Sequence, residues 1–155
     1  ADGRADPADA TLILGASSGG ATLDVPSLRP GTVVIDDSFP YCFDAATAKA
    51  RMVQQGDVLI IGGGQLDVGT LRRCSPIPGA DAVRAQFPSR WLPGCHAEAL
   101  LVALRPSLGP TRGVVDVARG QALWEAVTEL GWRVPPLHLG TWIVPDRLLE
   151  GVGAR

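Results

Sequence analysis

The chain has 155 residues, of which 46% are hydrophobic and 19% are charged, and its 14 basic against 16 acidic residues give a formal net charge of -2. This composition excludes an intrinsically disordered chain, and the small negative charge argues against a general nucleic-acid binder. No apolar run reaches the roughly 20 residues that a membrane span needs. Three cysteines without paired spacing do not form a disulfide framework, which favours reduced thiols and a cytoplasmic location.

Three short apolar runs predict β-strands in the first half of the chain. They cover residues 10–14, 32–36 and 57–61, and each is continuous rather than alternating. Continuous runs are typical of parallel strands covered on both faces. Each run ends in a small-residue or acidic loop, as strands do at the ligand-binding edge of an open α/β sheet. The sequence therefore predicts an α/β fold with a partial Rossmann-like parallel sheet and C-terminal helices.

Two of the predicted helices have clear end signals. Residues 44–55 begin with Asp44 as a helix N-cap and stop at Gly56. A helix from about residue 116 to 130 ends before Gly131.

Between them, residues 95–104 are apolar at almost every position, which predicts a helix buried nearly all round. The proline-rich residues 69–93 predict an irregular connection with a helical turn near 81–86. We divide the chain into a linker or frayed end at 1–9, the main segment at 10–148 and a tail at 149–155.

Cys95 is the residue that the sequence favours most strongly for chemistry. It follows Pro93-Gly94, which break the preceding chain, and it opens a predicted helix, whose unpaired N–H groups and partial positive charge favour a thiolate. Glu98 is placed to close a capping bond to the Cys95 N–H, although its charge opposes thiolate formation. His96, about 100° around the helix, is a candidate proton donor. The alternative is that Cys95 is a small, buried helix residue.

Other residues carry weaker signals. No C-x-x-C or H-x-x-x-H spacing supports a zinc site, so we predict no metal at the possible ligands Cys42, Cys74, Cys95, His96 and His138. Cys42 is predicted to pack among apolar neighbours, whereas Cys74, after two arginines, competes with Cys95 in reactivity. Trp124 and Trp132 are predicted core residues. Arg112 and Arg119 are candidates for contact with an acidic carrier, or are simply solvated.

The string Pro93-Gly94-Cys95-His96-Ala97-Glu98-Ala99-Leu100-Leu101 resembles the catalytic helix of the long-chain acyl-[acyl-carrier-protein] reductases that form aldehydes. In that family a cysteine is followed by x-Ala-Glu and an apolar run. Further segments resemble the family's strands, loops and closing segment in the same order; they are residues 15–18, 28–38, 58–66 and 129–132. The resemblance covers about residues 8–140.

The resemblance implies a reductase that converts an acyl thioester, carried by acyl-carrier protein or coenzyme A, to an aldehyde with NADPH. Cys95 is then the nucleophile that forms an acyl-enzyme. The cofactor-side residues implied are Ala16, Ser17 and Ser18 at the nicotinamide ribose, Asp37 and Ser38 at a ribose or substrate oxygen, and Gly63 and Gly64, which allow backbone approach near Cys95. The alternative for the serines is an ordinary tight turn.

The loop at residues 15–20 lacks the G-x-G-x-x-G spacing of a dinucleotide fingerprint. The resemblance therefore implies the C-terminal half of a longer reductase, with the fingerprint upstream. Two other functions remain open from the sequence. One is another NAD(P)-dependent Rossmann dehydrogenase, of the semialdehyde or shikimate type, in which Cys95 only packs. The other is a non-catalytic Rossmann remnant that serves as an interaction module.

Overall fold

A computed structural model describes residues 9–18, 20–69, 87–113 and 116–153. The chain divides into two compact units, one formed by Ala1–Gly63 with Pro136–Arg155 and the other by Gly64–Pro135. Most of the predicted linker, the predicted helical turn near 81–86 and Cys74 lie outside the described residues. No helix among the residues described combines the length and apolar character that crossing a bilayer requires.

The first unit is built on a parallel sheet of three strands in the order β1 (Leu12–Gly15), β2 (Val33–Asp36) and β3 (Leu59–Gly62). The prediction of three parallel strands is therefore confirmed, with each strand starting one or two residues later than expected. In the registers, Gly15 pairs with Asp36 and Asp36 with Gly62. The carboxyl ends of all three strands thus meet at one edge.

The prediction that each strand is covered on both faces is wrong for β1. β3 is largely buried, but Leu12 and Leu14 of β1 are 57% and 70% exposed. β1 lies at the edge of the sheet and alternates between exposed and half-buried residues. The run is apolar at every position, yet only one of its faces packs on the core, at Ile13.

Helix α1 (Ala45–Gln54) forms where its end signals predicted it. Asp44 is the N-cap and accepts a 2.7 Å hydrogen bond from the Thr47 N–H, while Gly56 takes the left-handed conformation (φ +61°) that ends the helix. The helix buries Arg51, whose guanidinium donates to the Asp57 carboxylate at 2.9 Å and to the carbonyls of Val25 and Leu28, in the connection between β1 and β2. A buried charge is tolerated here because it is paired and its donors are used.

The last part of this unit contains elements that the sequence did not predict. Elements are numbered in chain order, so those of this last segment follow the elements of the second unit described below. Strands β6 (His138–Leu139) and β7 (Trp142–Ile143) form a short antiparallel hairpin, and the helix α4 covers Arg147–Gly153. Leu139, Val144 and Leu148 are buried in the same core as the sheet. This segment returns to the first unit after the chain has passed through the second.

The second unit contains the antiparallel strands β4 (Gln65–Asp67) and β5 (Trp91–Pro93) and the helices α2 (Gly94–Leu104) and α3 (Val117–Glu129). A short 3-10 turn, Pro106–Leu108, follows α2. The core of the unit consists of Val68, Ala97, Leu101, Ala126, Val127 and Trp132.

Two predictions about this unit are wrong. Helix α2 is buried only along the stripe of Ala97 and Leu101, and Leu104 at its end is 57% exposed. Ala99 and Ala103, which are also exposed, have little apolar area to lose to solvent, so an apolar stretch that contains several alanines need not be enclosed on every face. Trp124 is 53% exposed rather than a core residue, whereas Trp132 is buried as predicted.

Candidate functional site

Cys95 is the second residue of α2 and is exposed. The interpretation of Cys95 as a buried packing residue is therefore wrong. Pro93 is the N-cap and provides no side-chain hydrogen bond, so the first N–H groups of the helix are not capped by that residue. Such groups carry partial positive charge and favour an anion at the helix start. The thiol is thus accessible and lies in the first turn of the helix.

The start of α2 is fixed by a close backbone contact with the turn before β4. The Gly94 N–H donates to the Gly64 carbonyl at 2.7 Å, and a Cβ on Gly94 would lie 3.3 Å from that oxygen. Gly64 has a φ of +69°, a conformation that favours glycine. Glycine at positions 64 and 94 therefore allows the backbone approach that orients the residue next to Cys95.

Glu98 does not take the capping position that the sequence suggested. Its Oε1 instead accepts a 2.7 Å hydrogen bond from the Thr111 N–H and lies 3.3 Å from Nη2 of Arg119. The hydrogen bonds from Thr111, reinforced by Arg119, lower the pKa of Glu98, so it is ionised at neutral pH. His96 is exposed beside Cys95, at the next position around the helix.

Arg119 is a structural arginine rather than one that is open to an acidic carrier. Its guanidinium donates to the carbonyls of Leu108 and Gly109 and, at 2.8 Å, to Thr111 Oγ1. These bonds fasten the loop between α2 and α3 to the first turn of α3. Arg112, the other predicted carrier contact, is exposed in that loop.

An apolar groove of about 220 Å³ runs along α2 and α3. Gly94, the residue before Cys95, forms part of its wall. Most of the other lining residues are aliphatic or aromatic, and one is the acidic Glu98; they are Leu66, Ala97, Glu98, Leu101, Gly120, Leu123, Trp124 and Val127. Apart from the Glu98 carboxylate, this lining is suited to hydrocarbon.

The predicted cofactor-side residues lie in the first unit, at the carboxyl edge of its sheet. The Ser17 N–H donates to Ser38 Oγ at 2.7 Å, and the Asp37 N–H donates to the Gly15 carbonyl at 2.8 Å. The loops that follow β1 and β2 are therefore joined to each other. Ala16, Ser18 and Asp37 are exposed, whereas Ser38 is buried and its hydroxyl serves the loop–loop contact. Gly63, the last residue of this unit's first segment, donates to the Asp36 carbonyl at 2.8 Å.

Asp36 is the residue at this edge that the sequence analysis did not single out. Its carboxylate is buried and accepts hydrogen bonds from the Ser38 N–H at 2.9 Å and the Cys42 N–H at 2.7 Å. Burial alone would raise the pKa of Asp36, but the hydrogen bonds from Ser38 and Cys42 outweigh it and hold that pKa below its usual value. The signal available was its place as the last residue of an apolar strand, where the alternation of β2 turns it inward.

Cys42 and Tyr41 contact the carboxyl ends of the strands, Cys42 at Asp36 and Tyr41 at Gly62. Burial, with the hydrogen bond to Asp36 and the charge of that residue, raises the pKa of the Cys42 thiol to about 11, as the predicted apolar packing implied. The Tyr41 hydroxyl accepts from the Gly140 N–H at 3.0 Å, and a Cβ on Gly62 would lie 2.5 Å from that hydroxyl. Tyr41 also stacks on Phe43, with ring centroids 5.2 Å apart. Glycine at position 62 is therefore required by the tyrosine that holds the β6–β7 turn.

His138 is buried in the first unit, with Nδ1 3.0 Å from the Pro136 carbonyl. Burial lowers the pKa of His138 despite that contact, so its ring is neutral at neutral pH. Within the described ranges, no three or more His, Cys, Asp or Glu side chains are grouped in a way that could hold a metal ion.

The chemistry-bearing residues thus fall into two sets. Cys95, His96, Glu98 and Gly64 belong to the second unit, and the serines, Asp37 and Gly63 belong to the first. The sequence matches no model of a known protein family, and comparison with curated proteins also gives no match.

Proposed function

We propose that this chain carries the nucleophile-bearing part of an NADPH-dependent reductase that converts acyl thioesters to aldehydes, with Cys95 as the nucleophile. The observation that carries the proposal is the exposed thiol in the first turn of α2, directly after the Pro93-Gly94 break. The resemblance of residues 93–101 to the catalytic helix of the aldehyde-forming reductases supports the same residue.

In the first step, the Cys95 thiolate attacks the thioester carbonyl carbon. The bond to the carrier sulfur breaks, and the carrier leaves as a thiol after taking up a proton. The N-terminal end of α2, with its partial positive charge, favours the thiolate before attack. The apolar groove beside Gly94 suits the aliphatic part of the acyl group.

In the second step, the acyl group on Cys95 is reduced. NADPH, when bound, supplies the hydride for this reduction. The carbon–sulfur bond to Cys95 breaks, an aldehyde leaves and the thiolate is regenerated. The balance is one thioester, one NADPH and one proton giving an aldehyde, a carrier thiol and NADP⁺.

The residues at the carboxyl edge of the sheet fit the ribose part of such a cofactor. The exposed Ser18 hydroxyl and Asp37 carboxylate are the donor and acceptor types that contact ribose hydroxyls. The parallel order of β1, β2 and β3 supports a Rossmann-like arrangement, in which ligands bind at this edge. The loops at this edge are held by hydrogen bonds among Ser17, Ser38 and Asp36.

A turnover assay tests the proposal. An acyl-coenzyme A or acyl-carrier-protein substrate is supplied with NADPH, and aldehyde formation is followed together with NADPH consumption. The full-length wild-type protein should form aldehyde and consume NADPH in a ratio of one to one, and the full-length Cys95→Ala variant should form no aldehyde above background. Aldehyde formation retained by Cys95→Ala would favour the alternative of another Rossmann dehydrogenase, and absence of any NADPH-dependent turnover by the wild type would favour an interaction module.

A further inference from the structure

An acidic side chain lies one helical turn after Cys95. Residues three apart on a helix occupy the same face, with Cβ atoms about 5–6 Å apart. Glu98 is therefore a near neighbour of the thiol along α2, and an uncompensated carboxylate there would oppose thiolate formation. The first turn of α2 would then contain two opposing influences, the helix N-terminus and the carboxylate.

Arg119 meets this carboxylate from the facing helix. Its Nη2 lies 3.3 Å from Glu98 Oε1, and the two side chains are only 23% and 31% exposed. The same Oε1 accepts the Thr111 N–H at 2.7 Å. This ion pair is partly shielded from solvent, so it is less screened than a surface pair.

The guanidinium is held in place independently of Glu98. It donates to two loop carbonyls and to Thr111 Oγ1, and the Arg119 N–H donates to the N-cap carboxylate of Asp116 at 2.7 Å. With three further guanidinium hydrogen bonds, the Arg119 side chain is held in this position. Its positive charge therefore stays beside Glu98.

The other charged groups on the elements packed against α2 have partners of their own. Asp67 of β4 pairs with Arg90 at 3.0 Å, Glu129 of α3 pairs with Arg105, and Glu125 accepts from Gln121. β5 and the Pro106–Leu108 turn carry no charged side chain. On α2 itself, His96 is the remaining titratable neighbour of Cys95.

We propose that Arg119 is a positioning residue for Cys95: by pairing with Glu98 it cancels the carboxylate charge next to the thiol, so that the helix N-terminus acts unopposed. This inference rests on the proposed role of Cys95 as nucleophile. It concerns the reactivity of the thiol and needs no substrate or cofactor to test. Absence of turnover would therefore count against the proposed function, whereas unchanged alkylation rates in the variants would count against the role of Arg119.

A double-mutant cycle tests the proposal on the intact protein, with Glu98→Gln, Arg119→Gln and the combined variant. The rate of iodoacetamide alkylation at Cys95 is measured by peptide mapping from pH 6 to 10. Arg119→Gln should slow alkylation at pH 7 about two- to fivefold, and Glu98→Gln should speed it by a similar factor. The combined variant should return near the wild-type rate. Arg133→Gln, which removes an exposed arginine elsewhere in the unit, is the matched control and should change nothing.

The salt dependence of the alkylation rates distinguishes an electrostatic effect of Arg119 from a loss of loop structure. The rate differences between the variants should shrink at 1 M salt, because screening weakens the interaction between the charges. Arg119→Lys, which keeps the charge, should stay closer to the wild type than Arg119→Gln. If Arg119→Gln does not fold, Glu98→Gln carries the test: it should speed alkylation in a salt-dependent way, and a rate equal to that of the wild type would overturn the proposal. A slow rate that persists in the combined variant, or equal rates in Arg119→Gln and wild type, would overturn the proposal.

Discussion

The Cys42 N–H donates a 2.7 Å hydrogen bond to Oδ2 of Asp36, and this bond closes the loop after β2 onto the end of its own strand. The other carboxylate oxygen accepts the Ser38 N–H at 2.9 Å, and Ser38 Oγ accepts the Ser17 N–H. One buried carboxylate thus organises two loops at the edge where we propose that the cofactor binds. The exposed Ser18 and Asp37 depend on this internal network for their positions.

Asp36→Asn should destabilise the first unit by about 1–3 kcal/mol, because an amide presents an N–H₂ group to donors that now face a carboxylate. Asp37→Asn, at the next and exposed position, is the matched control and should stay within about 0.5 kcal/mol of wild type. Urea denaturation followed by circular dichroism measures both. Equal midpoints for the two variants would contradict the role given to Asp36.

The same carboxylate predicts a loss of stability in acid. The folded-state pKa of Asp36 lies below the unfolded value of about 3.9. Its stabilising contribution is therefore complete well above the unfolded value and is lost as pH falls towards and through the folded-state pKa. Wild-type stability should therefore fall more steeply than that of Asp36→Asn between about pH 5 and pH 3. Parallel pH profiles for the two proteins would show that Asp36 is not the group responsible.

Local sequence signals were sufficient for the helix ends and the strand runs. Asp44 with Gly56 and Asp116 with Gly131 bound α1 and α3, because capping depends on residues within one turn of the helix end. The three strands were also predictable, because a continuous apolar run is a local pattern typical of a parallel strand in a sheet.

Contacts between residues that are far apart in the sequence could not be predicted from such local signals. Local spacing predicts a bond from the Cys95 N–H to Glu98, but Glu98 pairs with Arg119, which lies 21 residues away. The role of Asp36 has no local signal because it depends on the loop that ends at Cys42 and on a glycine in the neighbouring strand. The antiparallel pair β4–β5 joins residues more than 20 positions apart through strands of only three residues, which leave no periodicity to detect.

Two glycines in this protein should respond oppositely to substitution by alanine. A Cβ on Gly15 would overlap the Asp36 carboxylate and lie 3.0 Å from Cys42 Sγ, so Gly15→Ala should cost about 1–3 kcal/mol. Gly120 lies inside α3 with open space around it, so Gly120→Ala should stabilise the protein by about 0.5–1 kcal/mol. Thermal unfolding of the two variants and wild type checks both signs. A neutral Gly15→Ala would show that the strand end tolerates a side chain.

The two described cysteines should differ sharply in reactivity. Cys95 is exposed, whereas Cys42 is buried and its pKa is raised to about 11. At pH 8 a thiol reagent should label Cys95 readily in the native protein and reach Cys42 only after unfolding. Peptide mapping at timed intervals measures the order, and Asp36→Asn should make Cys42 more accessible. Early labelling of Cys42 in the native wild type would contradict the closed loop.

The most direct test of the central claim is a search for the acyl-enzyme itself. The protein is mixed with an acyl thioester in the absence of NADPH, and intact mass and peptide mass spectrometry are recorded. The account predicts a single added acyl group, located on Cys95, absent from Cys95→Ser and removed when NADPH is added, with release of aldehyde. No adduct in the wild type, together with reductase activity retained in Cys95→Ser, would contradict the assignment of Cys95 as the nucleophile.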